Sequence, residues 1–181
     1  LKIINRCKRK KIKFLSSPFD LKSIELLKKF KLNLLKIPSG EITNVPYLKK
    51  IGALKKKIIL STGMSDMKEV KSAIKILTSS GTKKKNITVL HCSSEYPANE
   101  DNLNLLSIPY LKKKLKLNVG YSDHSSGLQA SLTAVALGAK IIEKHFTTNK
   151  KLSGPDHKAS ISPKELINFV KSIKLVETTL G

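Results

Sequence analysis

Tryptophan is absent and aromatic residues make up only 5% of the chain, so any core must be assembled from Leu, Ile and Val. Cysteine occurs twice, at Cys7 and Cys92, too few for a disulfide framework and at a spacing that matches no metal motif. Reduced, cytosolic thiols are therefore expected. No apolar run approaches the ~20 residues that a membrane-spanning helix needs. No secretory leader is visible, and a cytoplasmic protein without a membrane partner is expected. The first residue is Leu rather than Met, so the chain reads as a fragment from which a leader could have been lost. No G-x-G-x-x-G or Walker lysine follows a candidate strand, which removes the usual signature of a nucleotide-binding open sheet.

Arginine is scarce too, confined to Arg6 and Arg9, although the net charge is +22. Base-edge readers favour arginine for its bidentate fork, and lysine cannot substitute for that geometry. The lysines recur in short runs (Lys55 to Lys57, Lys83 to Lys85, Lys112 to Lys114) where helices end or loops precede strands. They read as solvated faces rather than a specific nucleic-acid surface, with weak nonspecific attraction to polyanions.

What is present is a repeating pattern. With 181 residues, 40% of them hydrophobic, the chain can bury one sizeable core, and residues 1–181 are taken as one domain. Short apolar strands are expected at 11–17, 32–40, 56–63, 86–93, 116–123 and 139–146. Amphipathic helices lie between them. Asp20 should cap a helix over 20–30 with Ile24, Leu27 and Phe30 on one face. A helix opens at Thr43 or Asn44 with Pro46 in its first turn. Another begins near Ser65, with Met67, Val70, Ile74 and Leu77 along one stripe. A short helix falls in about 126–138. The last helix starts with Ser162, Pro163 and Glu165 as a capping box, its apolar face formed by Leu166, Val170, Ile173 and Val176. Strands beginning every ~20 to 30 residues are the period of βα units and a parallel sheet. The expected fold is α/β, a partial (β/α)8 TIM barrel with about six βα units present.

Each candidate strand ends in polar residues. In order they are Ser16 and Ser17; Lys36, Ser39 and Glu41; Ser61 and Thr62; His91, Ser94, Glu95 and Tyr96; Ser122, Asp123 and His124; Glu143 and His145. Barrel enzymes build their sites at the C-terminal ends of strands. Alternation along a strand puts Ser122 and His124 on one face and turns Asp123 away, and Glu143 shares a face with His145. Two neutral imidazoles with open positions suit a divalent metal, although spacing alone fits a hydrogen-bonded histidine pair equally well. Hydroxyls at Ser17, Ser39, Ser61 and Ser122 around the ammonium of Lys36 are what a phosphate or carboxylate needs. The Gly-Pro turn in "GPDHKAS" presents Asp156 and His157.

With these residues in view, "KIPSGEITNVPYLKKIG", "ILSTGM", "VLHCSSEYP", "VGYSDHSSG", "AVALGAKIIEKHFT" and "GPDHKAS" together resemble the N-acetylneuraminate (sialic acid) synthase family. The resemblance extends from about Phe14 to the chain end. The "IPSGE" form is closer to sialic or legionaminic acid synthases than to the pseudaminic branch. The resemblance implies a (β/α)8 barrel followed by a small antifreeze-like domain, working as a domain-swapped homodimer. It implies condensation of phosphoenolpyruvate with an N-acetylated amino-sugar, N-acetylmannosamine or a related 2,4-diacetamido sugar, to give a nonulosonic acid and phosphate. His124 and His145 then match ligands of a divalent metal, manganese foremost, with magnesium or cobalt as alternatives. Lys36, Ser39, Ser61 and Ser122 match positions that hold phosphoenolpyruvate. Ser17 stands where the family usually has Thr, and Ser94 where some members have Asn. Glu41 matches an acid that handles protons or orients water, Tyr96 and Asp156 match sugar contacts, and Glu143 is placed beside the metal by its shared face with His145. Two N-terminal strands and the C-terminal domain of that pattern lie outside this sequence, so the isolated chain is expected to be weakly active or inactive.

Three other readings remain. One is a different phosphoenolpyruvate-condensing or metal-dependent aldolase-type barrel. Another is a basic, noncatalytic nucleic-acid-binding fragment. The third is a decayed gene product, against which the intact strand-end motifs count.

Overall fold

Strands and helices alternate along the chain as the apolar pattern requires, and each assigned strand pair is parallel. The computed structural model describes residues 1–181, which divide into two units. One comprises Leu1–Leu60 and Asp66–Ile87, the other Ser61–Ser65 and Thr88–Gly181.

The first unit contains helices α1 (Lys2–Arg9), α2 (Leu21–Lys29), α3 (Val45–Ala53) and α4 (Met67–Ser79) and strands β1 (Leu34–Ile37) and β2 (Lys57–Ser61). Leu34 pairs with Lys57 and Ile37 with Leu60. Helix α2 starts where Asp20 accepts from the Ser23 amide and buries Ile24 and Leu27, as its periodicity demanded. Asn44 caps α3, and Asp66 with Glu69 forms a reciprocal capping box on α4. The stripe of α4 holds Val70, Ile74 and Leu77 as expected, with Ala73 buried beside them and Met67 only half-buried. Helices α3 and α4 approach so closely at Gly52 that an added Cβ would lie 2.7 Å from Ser80 Cβ and 2.8 Å from the Leu77 carbonyl oxygen. Only glycine permits that packing.

The segment 11–17 does not form the expected strand. It follows α1 without regular structure, and Pro18 at its end has no amide hydrogen to give a ladder. Beyond its end, the buried Tyr47 hydroxyl donates to the Pro18 carbonyl at 2.8 Å. Five strands therefore form where six were expected.

The second unit contains β3 (Ile87–Cys92), α5 (Ser107–Leu115), β4 (Asn118–Asp123), α6 (Gln129–Ala136), β5 (Ile142–Lys144), a single turn α7 (Asp156–Ala159) and α8 (Pro163–Leu180). β3 pairs with β4, and β4 with β5. β5 is shorter than expected, so His145 follows the strand rather than lying on it. β4 and β5 lie in close contact at Gly120, where an added Cβ would fall 2.6 Å from Leu90 Cδ2 and meet the Ile141 carbonyl oxygen. Helix α8 has the expected Ser162–Glu165 capping box with Pro163 in its first turn. Its buried residue is Phe169, however, while Leu166 and Val170 are exposed and Ile173 and Val176 half-buried. The stripe is rotated because phenylalanine at 169 has the largest apolar area to bury.

Four helices are followed by a lysine with positive φ: Lys11 (56°), Lys31 (53°), Lys55 (55°) and Lys116 (53°). Glycine is the usual residue there, being free of the Cβ penalty. No helix is long and apolar enough to cross a membrane.

Candidate active site

The end of β4 sorts its side chains by face. Ser122 Oγ lies 3.3 Å from His124 Nε2, so these two share a side, while Asp123 is fully buried on the other. Asp123 is held by the Ser125 amide at 2.8 Å, the Ser125 and Ser131 hydroxyls, and the Lys144 ammonium at 2.9 Å. Ser125 is a local partner two residues on, whereas Ser131 and Lys144 reach Asp123 only when α6 and β5 are packed.

His124 is 6% exposed. Its Nδ1 is 2.6 Å from the Ser93 carbonyl oxygen. A carbonyl can only accept, so Nδ1 carries the proton and Nε2 keeps its lone pair. Burial lowers the pKa of His124 below the ordinary imidazole value; the Ser93 bond opposes this and His145 reinforces it. A neutral ring with its lone pair on Nε2, here 3.3 Å from Ser122 Oγ, is the form that binds a metal. The rings of His124 and His145 lie 5.4 Å apart at 54°. Tyr96 packs against both, 4.1 Å from His124 and 5.5 Å from His145, the latter edge-on. Burial, then the nearby Cys92, Asp156 and Glu143, raises the Tyr96 pKa, so its phenol stays a proton donor.

Ser122 donates to Glu143 Oε1 at 2.7 Å, which brings the expected pair Ser122 and Glu143 together. No group of three His, Cys, Asp or Glu side chains gathers to hold a metal ion. The chain offers two imidazoles, and His124 presents its lone pair; this donor set fits a divalent cation whose other positions are taken by water or substrate oxygen.

Ser61 ends β2 and Thr62 follows it. Thr62 donates its amide and hydroxyl to the Leu90 carbonyl, and the Gly63 amide donates to Cys92 Sγ at 3.2 Å. Ser61 Oγ is buried and has no protein partner. The buried Tyr121 hydroxyl likewise makes no hydrogen bond within the protein, and a buried hydroxyl without a partner costs free energy. His91 is used structurally instead: its Nε2 donates to the Leu103 carbonyl at 2.7 Å and its ring stacks on Tyr121. Ser94 is exposed on a loop; Asp156 is exposed as the first residue of α7, and its carbonyl accepts from the Ser160 hydroxyl.

The remaining candidates belong to the first unit. Lys36 is buried at 7% exposure on β1, and Ser39 and Glu41 lie in the turn that follows. Glu41 Oε2 accepts from the Asn44 amide group at 2.7 Å. Tyr47, beneath this turn, has its pKa raised by burial and then by Glu41. Ser17 is half-buried in the irregular segment before α2, so it does not end a strand.

Comparison with known proteins gives a consistent result. The chain is 53% identical to N,N'-diacetyllegionaminic acid synthase of Campylobacter jejuni over 179 residues, 99% of this chain and 54% of that protein. It is 37% identical to N-acetylneuraminate-9-phosphate synthase of Homo sapiens over 169 residues, 93% of this chain and 46% of that protein. The crystal structure of N-acetylneuraminic acid synthetase from Leptospira borgpetersenii, in complex with citrate, matches with a TM-score of 0.94 at 37% identity, covering 99% of this chain and 62% of that chain. The chain thus spans about half the length of the curated relatives it matches. The sequence profile of the NeuB family matches residues 1–181, and the chain belongs to that family.

Proposed function

We propose that this chain is the metal- and substrate-handling part of a nonulosonic acid synthase, built on a (β/α)8 barrel and acting as a homodimer in the longer protein. The reaction joins the methylene carbon of phosphoenolpyruvate to the aldehyde carbon of an N-acetylated amino-sugar. Water adds at the adjacent carbon and phosphate leaves. The observation that carries this reading is the neutral His124, whose Nε2 lone pair stands beside His145. These two imidazoles would hold manganese, magnesium or cobalt, which when bound supplies Lewis-acid polarisation of an aldehyde oxygen.

The chain's own groups take the other roles. Lys36 supplies a buried positive charge for the phosphoenolpyruvate anion, with hydroxyls from Ser17, Ser39 and Ser61; Ser122 joins them only by turning its proton away from Glu143, and Ser94 is an outer contact. The unpartnered Ser61 hydroxyl supports this assignment. Glu41, oriented by Asn44, accepts a proton or aligns the water. Tyr96, kept protonated, and Asp156 meet sugar hydroxyl and amide groups. The 53% identity to a legionaminic acid synthase favours a 2,4-diacetamido sugar over N-acetylmannosamine.

The test uses the full-length protein containing this chain, phosphoenolpyruvate and each sugar, with phosphate release followed before and after chelation. Sugar-dependent phosphate release that is lost on chelation and restored by manganese is expected. Pyruvate formation without phosphate would instead indicate an aldolase, and salt-steep polyanion binding without turnover would indicate a noncatalytic basic module.

A further inference from the structure

The ion pair between Asp123 and Lys144 is almost wholly buried, with side chains 0% and 3% exposed. These residues are register partners on β4 and β5. Asp123 directly precedes His124, and Lys144 directly precedes His145. We propose that Asp123 and Lys144 are positioning residues, which fix the separation of the two imidazoles by locking together the strand ends that carry them. This inference rests on the assignment of His124 and His145 as a metal pair.

The hydrogen bonds run to the backbone of the residue that follows His124. Asp123 Oδ1 accepts from the Ser125 amide and hydroxyl, and Lys144 Nζ donates to the Ser125 carbonyl at 2.8 Å. Residue 125 is therefore gripped at its N–H and its C=O by the two members of one ion pair. Asp123 Oδ2 also accepts from Ser131 on α6, so the clamp reaches the helix behind the strand. The His124 carbonyl accepts from the Ala98 amide at 2.9 Å, closing the remaining freedom of that peptide. His145 has no comparable grip on its ring; its carbonyl accepts from the Ile161 amide, and its neighbour Lys144 supplies the tie to β4.

A buried ion pair is a poor way to gain stability, since desolvation offsets the attraction, whereas a hydrophobic pair of similar volume is often neutral or better. Placing one between two candidate ligands is explained by geometry: charge-assisted hydrogen bonds are short and directional, and a metal pair tolerates little looseness.

The test compares Lys144→Met and the double variant Asp123→Asn/Lys144→Met with the unaltered full-length protein. Manganese binding is read by the electron paramagnetic resonance signal of free Mn2+, alongside thermal unfolding and kcat and KM for phosphoenolpyruvate. The double variant leaves no lone buried charge, so it remains folded if the single variant does not. The expected result is a ~10- to 100-fold loss of Mn2+ affinity in the double variant, the range typical for groups supporting ligands. The KM for phosphoenolpyruvate, measured at saturating Mn2+, should stay unchanged. A double variant that binds Mn2+ as tightly as the unaltered protein, or that fails to fold, overturns the inference, since the pair would then be structural. Should His124→Ala bind Mn2+ as the unaltered protein does, the failure belongs to the metal assignment instead.

Discussion

Ser122 gives its single hydroxyl proton to Glu143 across 2.7 Å, tying the ends of β4 and β5 together on the face that carries His124. The serine oxygen is thereby oriented, and Glu143 places a carboxylate beside the imidazoles, where it favours positive charge on His124. A cation between the histidines would gain from the same carboxylate.

Glu143→Gln preserves an acceptor for Ser122 and removes the charge. Mn2+ affinity should fall ~10- to 100-fold. A titration showing equal affinity would place Glu143 outside the metal environment.

Ser61→Ala separates binding from folding. The hydroxyl has no protein partner, so its removal should leave stability unchanged or raise it by about 1 kcal/mol. If it meets an anion, the KM for phosphoenolpyruvate should rise about tenfold or more, the value of a hydrogen bond to a charged group. Steady-state kinetics and urea unfolding on the same preparation decide this.

Acid should destabilise the fold through His91. Burial lowers its pKa and the Leu103 bond only partly opposes this. The unfolded chain, titrating near ~6.5, binds the proton more readily than the folded one. The stabilisation is complete above that value and is lost as pH falls through the lower folded one. His91→Gln, which retains an amide donor for Leu103, should flatten the unfolding temperature below pH ~6.5. An unchanged slope would assign the acid sensitivity elsewhere.

Gly120→Ala should be costly although alanine suits a strand better. Its methyl would overlap Leu90 Cδ2 and the Ile141 carbonyl, the latter already accepting from the Tyr121 amide. A loss of about 1–3 kcal/mol is expected from such overpacking, measured by denaturant unfolding. A stability equal to the parent would mean the two strands can part without penalty.

Local rules explain which features were legible in the sequence. Asp20, Asn44 and Ser162 act on groups within three residues, so their caps can be read without knowing the fold. The opposed faces of Ser122, Asp123 and His124 follow from the two-residue strand period. What could not be read depends on distant packing. The segment 11–17 has strand-like composition but no ladder, and α8 turns toward Phe169 rather than Leu166. The clamp on Asp123 adds Ser131 of α6 and Lys144 of β5 to the local Ser125 bond, and no spacing rule joins those two to it. The tautomer of His124 likewise depends on a carbonyl 31 residues away.

The lysines at 11, 31, 55 and 116 give the basic composition an architectural meaning. A side-chain-bearing residue in the left-handed region costs ~1–2 kcal/mol, and a cation at a helix C-terminus returns only ~0.3–1 kcal/mol of it through the helix dipole. That return weakens as salt screens it. These positions are therefore a dispersed reserve for thermal hardening: glycine there would relieve the backbone, lower the surface charge and make the fold less responsive to ionic strength. The reserve is separate from the chemistry, since none of the four is among the residues proposed to meet metal or substrate.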